Sequence, residues 1–255
     1  MLPGCAAKMV SARPKSKSLP QRPEGLRFCV RIGWMNSVFS LTLASNSPRR
    51  RQMLAWTGWE FQTAPADIDE SPRPGENPAD YVQRLAREKA LASAQTQPEH
   101  VLILASDTTV ADGSQLLGKP ADAADARRML RQLRGRTHQV YTALAVRPPH
   151  SSELLEDLCC TDVPMRAYTD AEIEAYIATG DPFDKAGAYA IQHPGFRPVE
   201  TLQGCYASVM GLPLCHLVRT LRRLHLEPLT AIPPVCMSNL GYDCPVWQSV
   251  LAGKM

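Results

Sequence analysis

The run VLILA at residues 101–105 is apolar without interruption, and it restricts the fold more than any other feature of the sequence. A short apolar run of this kind suits a strand that is buried on both faces. Around it, strand and helix patterns alternate in the first part of the chain and mix in the second. We therefore predict an α/β protein with a mixed, twisted sheet flanked by helices.

Three further patterns define elements in the first half of the chain. Alternating apolar residues predict a strand over 38–44. Ser47 is followed by proline, the pair expected at a helix cap and first helical position, so a helix begins there and ends near Gly58. A second helix begins in the same way at Asn77, and apolar spacing predicts a third over 122–134.

The second half mixes strands, turns and helices. A strand is predicted over 137–146, with an antiparallel return around 157–168. Thr169 opens a capping box and therefore a helix. The Gly- and aromatic-rich stretch 183–210 predicts short strands and turns, and a last helix starts at Pro213.

Composition divides the chain into three parts. Residues 1–37 contain seven Lys and Arg against Glu24 alone and lack periodicity, which is typical of a disordered basic extension. This head could bind nucleic acid or act as a targeting peptide, or Met35 is the true start of the protein. We assign residues 38–226 to one folded domain and residues 227–255 to a Pro-rich, loosely held tail.

Charge, hydropathy and cysteine usage exclude several classes of protein. No apolar run approaches the roughly 20 residues of a membrane span. Outside the head the chain is slightly acidic, which argues against a broad nucleic-acid surface. The eight cysteines form no C-x-x-C pair; Cys236 and Cys244 could close a loop in the tail, but we favour reduced thiols and a cytoplasmic protein.

The segment SNSPRRR at residues 45–51 predicts an anion site. A strand, a Ser-Asn-Ser turn and a helix N-terminus offer free N–H groups, a favourable dipole and two hydroxyls. Arginines at this end destabilise an isolated helix, but their guanidinium groups match the oxygens of a bound polyphosphate. The alternative is a solvated basic turn. We favour anion binding, with Ser45, Arg49 and Arg50 in the site.

A carboxylate stands directly after the buried run. Asp107, in ILASDTTVADG, lies where ligand sites of α/β sheets gather and could hold a hard divalent cation and deprotonate water. It could equally cap the turn that follows. The segment DIDES supplies Glu70 as a second candidate metal ligand, although an acidic surface loop would look the same.

Two lysines lie in turn-like motifs. GSQLLGKP resembles a phosphate-binding P-loop, but Pro120 replaces the hydroxyl residue that would hold Mg²⁺, so we reject that interpretation. Lys119 could still face a phosphate or be solvated. Lys185, in DKAGAYAIQ, stands among small residues that let a ligand approach the backbone, although an ordinary tight turn explains them equally well.

Taken in order, six segments over residues 38–225 resemble the Maf family of nucleoside triphosphate pyrophosphatases. They are LASNSPRR, DIDES…GE…YVQRLAREKA, SDTTVADG…LGKP, GRTHQVYTAL, DKAGAYAIQ and GCYASVMGLP. The resemblance implies a Maf/ITPase-like fold with two lobes around a deep nucleotide-binding cleft. It also implies hydrolysis of the α–β phosphoanhydride to a nucleoside monophosphate and pyrophosphate, with Mg²⁺, Mn²⁺ or Co²⁺ as cofactor.

The resemblance also implies roles for particular residues. Asp107 matches the catalytic proton acceptor and, with Glu70, would bind the metal. The residues expected to face the phosphates are Ser45, Arg50, Lys89, Lys119 and Lys185. The residues that mark the subgroup acting on dTTP and UTP are Arg49, Thr108 and Gln192. The expected role is cleansing of the nucleotide pool, including modified pyrimidine nucleotides.

Three residues depart from the family pattern. Ser208 replaces an asparagine, and His193 and Ala143 each replace a glycine, all three near the expected base pocket or cleft wall. These departures weaken the substrate assignment more than the reaction assignment. Purine or broad-range triphosphates, and a regulatory nucleotide-binding role linked to septum formation, stay open. So does a homodimer, whereas no nucleic-acid or membrane partner is expected.

Overall fold

A computed structural model describes residues 40–255, and the predicted basic extension lies outside the described residues. Within this range one sheet of six strands is combined with eight α-helices. The strands are β1 (Ser40–Leu43), β2 (Gln62–Thr63), β3 (Val101–Asp112), β4 (Gln115–Leu117), β5 (Thr137–Arg147) and β6 (Leu155–Pro164). The helices are α1 (Pro48–Ala55), α2 (Pro78–Ala94), α3 (Ala123–Leu133), α4 (Asp170–Ala178), α5 (Tyr206–Val209), α6 (Leu214–Arg222), α7 (Ile232–Leu240) and α8 (Trp247–Leu251). None of the helices in the described range is long and apolar enough to cross a membrane.

The sheet is mixed, as predicted. Its strand order is β2-β1-β3-β5-β6, and β4 pairs with β3 beside this path. β1 runs parallel to both β2 and β3, whereas β3, β5 and β6 pair antiparallel. This arrangement, with helices on both faces, confirms the α/β class.

Strand β3 is longer than the apolar run that predicts it. Its pairing with β1 ends at Leu104, but its pairing with β5 continues from Ile103 to Ala111. The antiparallel partner therefore carries the strand through the polar residues. Asp107 lies within β3 and not after its end, which corrects the sequence-based placement. Beyond Leu104 one edge of β3 has no β1 residue beside it, and this is where the cleft opens.

The first lobe is built on the two faces of β1 and the first half of β3. Leu102 and Leu104 pack in one cluster with Leu217 of α6, while Ile103 packs on the opposite face with Val82 of α2. Successive residues of a strand point to opposite faces, so a continuous apolar run is covered by helices on both sides.

The second lobe has its own core, to which the second half of β3 contributes. Val110 packs there with Leu130 of α3 and Ile173 of α4. The polar residues 106–109 separate the two ends of β3 and lie between the two cores. This confirms the two-lobed architecture, because one long strand serves both cores and exposes its polar middle to the cleft.

Helix starts follow the predicted caps. The side chain of Ser47 accepts a hydrogen bond from the backbone N–H of Arg50. Asn77 caps α2 and Asp122 caps α3 in the same way. At α4, Thr169 and Glu172 exchange both bonds of the capping box. These side chains satisfy backbone donors that lack a partner inside the helix.

The stretch 183–210 differs from the prediction. Its regular structure consists of short helical turns, Asp181–Asp184, Ala186–Ala188 and α5, with an isolated bridge between Met165 and Val199 in place of short strands. Gly187 explains one turn: its φ is +69°, and a Cβ there would lie 2.9 Å from Val110. The backbone therefore approaches β3 directly at this point.

The C-terminal segment is not loosely held, and α6 is not the last helix. Helices α7 and α8 follow it, and Ile232 and Val250 are buried in the core of the first lobe. Backbone contacts reinforce this packing, since Leu229 N–H donates to the carbonyl of Thr57 at 2.9 Å. The domain boundaries assigned above stay a prediction.

Candidate active site

A cleft of about 680 Å³ lies between the two lobes. The structure brings all ten of the predicted site residues to its wall. They are Ser45, Arg49, Arg50, Glu70, Lys89, Asp107, Thr108, Lys119, Lys185 and Gln192. They come from segments far apart in the sequence, so the fold supplies the proximity that the motifs imply. Their individual roles stay predictions.

Arg50 is held at the start of α1 by three hydrogen bonds. Its Nε donates to the carbonyl of Gly211 at 2.8 Å, Nη1 to Ser45 Oγ at 3.3 Å and Nη2 to Thr108 Oγ1 at 3.1 Å. Burial lowers the pKa of Arg50, against the raising effect of the nearby Asp107 charge. The guanidinium is thus a rigid positive group in the wall of the cleft.

The remaining arginines of α1 separate into two environments. Arg49 lines the cleft and pairs with Asp184, with Nη1 and Oδ2 3.5 Å apart. Arg51 is exposed and lies outside the cleft lining. Two of the three arginines therefore support the predicted anion site, and the third is a solvated side chain.

Lys89 of α2 connects two carboxylates at the centre of the cleft. Its Nζ lies 2.6 Å from Asp107 Oδ1 and 2.6 Å from Glu70 Oε1. Lys89 and Asp107 are buried, whereas the Glu70 side chain is 54% exposed. The ammonium group of Lys89 therefore links Glu70, at the surface of the cleft, to Asp107, which is buried on β3.

The two carboxylates have opposite pKa shifts. Burial raises the pKa of Asp107, although Lys89 and Arg50 act against it. Burial also acts to raise the pKa of Glu70, but the hydrogen bond and charge of Lys89, with the charges of Lys119 and Arg50, outweigh it and lower the pKa. A pair of acids with different protonation tendencies is typical of sites that perform proton transfer.

The carboxylates also fit a hard divalent cation. Asp107 and Glu70 both reach the ammonium of Lys89, so their oxygens converge on one place. Mg²⁺ is usually bound by one or two carboxylates together with substrate phosphates and water. Of the other acids in DIDES, Asp67 and Asp69 do not line the cleft, and Asp69 accepts from the backbone of Ser71.

Tyr81 is a cleft residue that was not predicted as part of the site. It packs from α2 against the core and also lines the cleft, where its hydroxyl donates to the carbonyl of Glu70 at 2.8 Å. This bond anchors the acidic loop beside the cleft. A tyrosine on an apolar helix face offers no sequence signal for such a role.

Lys185 is paired with aspartates. Its Nζ lies 2.6 Å from the carbonyl of Asp181, 2.9 Å from the Asp181 carboxylate, and also contacts the Asp184 carboxylate. Asp184 also pairs with Arg49, so it would compete with a bound phosphate for both cations. Neither aspartate was predicted as a site residue, although Asp184 is the first residue of the DKAGAYAIQ motif and Asp181 lies three residues before it.

The remaining predicted residues differ in exposure and in whether their side chains are already hydrogen-bonded. Thr108 is engaged with Arg50 and with Thr142, whose hydroxyl lies 3.0 Å away. Lys119 and Gln192 are exposed in the cleft wall. Several apolar residues also line it, as a nucleotide base requires, namely Val110, Val140, Ile191, Val209 and Met210.

None of the three departures from the family pattern lines the cleft. Ala143 pairs with Asp107 inside the sheet, and Ser208 is fully buried in α5. His193 Nδ1 accepts from the backbone N–H of Phe196 at 2.9 Å. All three residues therefore lie beside or behind the wall and not on its surface, and their expected nearness to the base pocket stays a prediction.

These features define a class: two-lobed α/β proteins whose interlobe cleft combines clustered cations with converging carboxylates. The chain belongs to the Maf family, since the family of Maf-like proteins matches residues 40–224. This confirms the resemblance predicted from the motifs.

Relatives share about half of the aligned residues. A dTTP/UTP pyrophosphatase of Geobacter sulfurreducens is 48% identical over 184 residues, covering 72% of this chain and 96% of that protein. A dTTP/UTP pyrophosphatase of Chromobacterium violaceum is 52% identical over 177 residues, covering 68% and 88%. Among solved structures, the Staphylococcus aureus Ham1 protein is 15% identical, with a TM-score of 0.38, and covers 49% of this chain and 71% of that chain. The family assignment rests on the sequence matches alone.

Proposed function

We propose that the protein hydrolyses nucleoside triphosphates at the α–β phosphoanhydride, with a preference for dTTP and UTP. The carrying observation is the cluster of Asp107, Lys89 and Glu70 inside a cleft lined by arginines. The proposal also draws on relatives of 48–52% identity that bear the name dTTP/UTP pyrophosphatase. The products are a nucleoside monophosphate and pyrophosphate.

Charge complementarity accounts for binding of the triphosphate. The substrate carries about four negative charges, which need fixed cations in the ground state and in the transition state. Arg49, Arg50 and Lys119 line the cleft and offer such charges. The planar guanidinium of Arg50 is already oriented by Gly211, so little further ordering is needed on binding.

Asp107 is the proposed general base. Burial raises the pKa of Asp107, which makes its carboxylate a stronger base towards the attacking water. Lys89 orients the carboxylate through Oδ1, at 2.6 Å. As the water oxygen bonds to phosphorus, its proton passes to Asp107 and the bridging bond to the pyrophosphate leaving group breaks.

A divalent cation, Mg²⁺, Mn²⁺ or Co²⁺, completes the proposal. Asp107 and Glu70 would hold it, and when bound it would neutralise charge on the triphosphate. We also place the enzyme in the cytoplasm, in line with the free thiols of the six cysteines in the described range.

Pyrophosphate release from a panel of triphosphates, with each of the three cations, tests the reaction. We expect turnover of dTTP and UTP to exceed that of GTP and ATP. In a competition between dTTP and GTP at equal concentrations, faster consumption of GTP would contradict the pyrimidine preference. It would not contradict the proposed pyrophosphatase reaction. Tight nucleotide binding without pyrophosphate release from any triphosphate would instead support the regulatory alternative.

A further inference from the structure

A second cluster of reactive side chains lies outside the cleft. Cys159 on β6, Cys205 before α5 and His216 on α6 place their ligand atoms within 4.8 Å of one another. All three residues are buried. No other set of three or more His, Cys, Asp or Glu side chains in residues 40–255 converges in this way.

Two buried polar atoms at this cluster lack hydrogen-bond partners among the described residues. They are Nδ1 of His216 and Oγ of Ser208. His216 is 4% exposed and Ser208 is fully buried, and the Ser208 side chain lies beside Cys159. An unpartnered polar atom in a core loses its bonds to water without compensation, so it points to a ligand that would satisfy it.

We propose that Cys159, Cys205 and His216 form a binding site for a thiophilic divalent cation, Zn²⁺. Two cysteine thiolates and an imidazole are ligands that zinc prefers, and a hydroxyl or water can take the fourth position. The described protein places two hydroxyls beside Cys159: Thr161 Oγ1, which lies 3.8 Å from the Cys159 sulfur, and the unpartnered Ser208 Oγ. Two thiolates balance the charge of the cation, so the complex is electrically neutral, as its buried position requires.

Zinc binds cysteine as the thiolate and histidine as the neutral imidazole. Cation binding at this cluster would therefore release thiol protons to solvent.

The cation would brace the wall behind the cleft. Cys205 Sγ accepts the backbone N–H of Ser208 at 3.4 Å, and the Ser208 carbonyl accepts from Thr142 Oγ1 at 2.8 Å. Thr142 in turn contacts Thr108, the partner of Arg50. The site is therefore structural and separate from the proposed chemistry: its soft ligands select a different cation from the carboxylates of the cleft.

Cobalt substitution on the reduced, chelator-treated full chain tests this site. Excess Mg²⁺ is added to occupy hard oxygen ligands, and Co²⁺ is then titrated. We expect thiolate-to-cobalt charge-transfer absorption and the strong visible bands of four-coordinate cobalt, both abolished by one equivalent of Zn²⁺. The melting temperature should rise with Zn²⁺, since the cation binds the folded state.

Variants assign the signal to the cluster. Cys159→Ser, Cys205→Ser and His216→Gln should each weaken binding at least about a hundredfold, beyond the 10- to 100-fold typical of losing an outer-shell partner. Cys160→Ser is the matched control, because Cys160 is adjacent in β6 but exposed. It should bind cobalt as the wild type does.

X-ray absorption of the zinc-loaded wild type makes the test independent of whether a variant folds. Two sulfur atoms and one nitrogen are expected around the metal. A shell of oxygen alone would overturn the proposal, as would binding that survives all three substitutions. It would also fail if the reduced chain bound no cobalt and mild oxidation joined Cys159 to Cys205 in a disulfide.

Discussion

At Asp107, burial and charge act in opposite directions on the same carboxyl group. Desolvation raises its pKa, whereas Lys89 and Arg50 favour the ionised form. A neutral neighbour could not balance the burial, and a fully solvated carboxylate would be a weak base at neutral pH. The contact with Lys89 therefore offsets part of the cost of burying Asp107 as the ionised form, which is the form that the proposed base requires.

Replacing Asp107 by asparagine tests its role as the base. The substitution keeps the shape of the side chain but removes the charge, so kcat should fall by about 10²–10⁴-fold while the chain stays folded. Pyrophosphate release and circular dichroism measure the two properties. Asp69→Asn, which changes an exposed acid outside the cleft lining, is the control and should keep the wild-type rate. Wild-type turnover in the Asp107 variant would exclude it as the base.

Gln192 carries the prediction on base selectivity. Its amide offers both a donor and an acceptor, which suits the adjacent N3–H and carbonyl of uracil or thymine. Gln192→Glu loses the donor and adds a charge, so the preference for dTTP over GTP in kcat/KM should fall by roughly tenfold to a hundredfold. Gln192→Asn, which keeps the amide, should lose less of the preference. Equal selectivity in the wild type and the Glu variant would remove Gln192 from the base pocket.

At the scale of elements, local signals predicted the helix starts and long-range packing decided the rest. Ser47, Asn77 and Thr169 bond to residues within their own first turn, so the sequence alone contains both partners. The extension of β3 depends on pairing with residues of β5 that lie 28 to 40 positions further along the chain. The carboxyl partners of Lys185 were likewise missed, because a spacing pattern does not show which way a lysine turns.

The packing of the C-terminal segment also depends on long-range contacts that its local sequence does not show. Its prolines suggested a loose tail, but Ile232 is 3% exposed and packs in the core of the first lobe. Ile232→Ala should lower the free energy of unfolding by about 2–4 kcal/mol, through lost burial and a cavity. The melting temperature should fall by roughly 5–15 °C.

An exposed residue of the same segment provides the control for this experiment. Leu229 lies in the same segment but is 60% exposed, so Leu229→Ala should change the free energy of unfolding by less than about 1 kcal/mol. Chemical denaturation of both variants measures the difference. Equal, small effects would mean that the C-terminal helices do not contribute to the stability of the core.

On the scale of the whole molecule, each lobe contains an ionised carboxylate that pairs with an arginine of a neighbouring segment. Glu76 receives two hydrogen bonds from Arg84, which lower its pKa to about 2. Glu172, in the capping box, is lowered to about 2 by Arg166 and by the backbone and side chain of Thr169. Such acids add stability above their unfolded pKa, and that stability is lost as the pH falls towards 2. Their contribution is therefore complete at neutral pH and is lost only in strong acid.

A buried histidine gives the whole molecule a second, milder sensitivity to acid. His138 is 1% exposed and bonds through Nε2 to the hydroxyl of Tyr189 at 2.9 Å. Burial lowers the pKa of His138 from its ordinary value of 6.5 to about 4. Between these two values the unfolded chain binds a proton that the folded chain rejects, so stability falls as the pH drops from about 6.5 to about 4. The loss from this one group is at most about 3 kcal/mol.

Denaturation at a series of pH values tests this effect. His138→Gln should be less stable than the wild type at pH 7, because the ring's packing and its bond to Tyr189 are disturbed. Its stability should nevertheless change less than the wild type's between about pH 6.5 and 4, since the titrating group is gone. His100→Gln replaces an exposed histidine and should keep the wild-type slope. An unchanged slope in the His138 variant would show that another group controls the acid sensitivity of the fold.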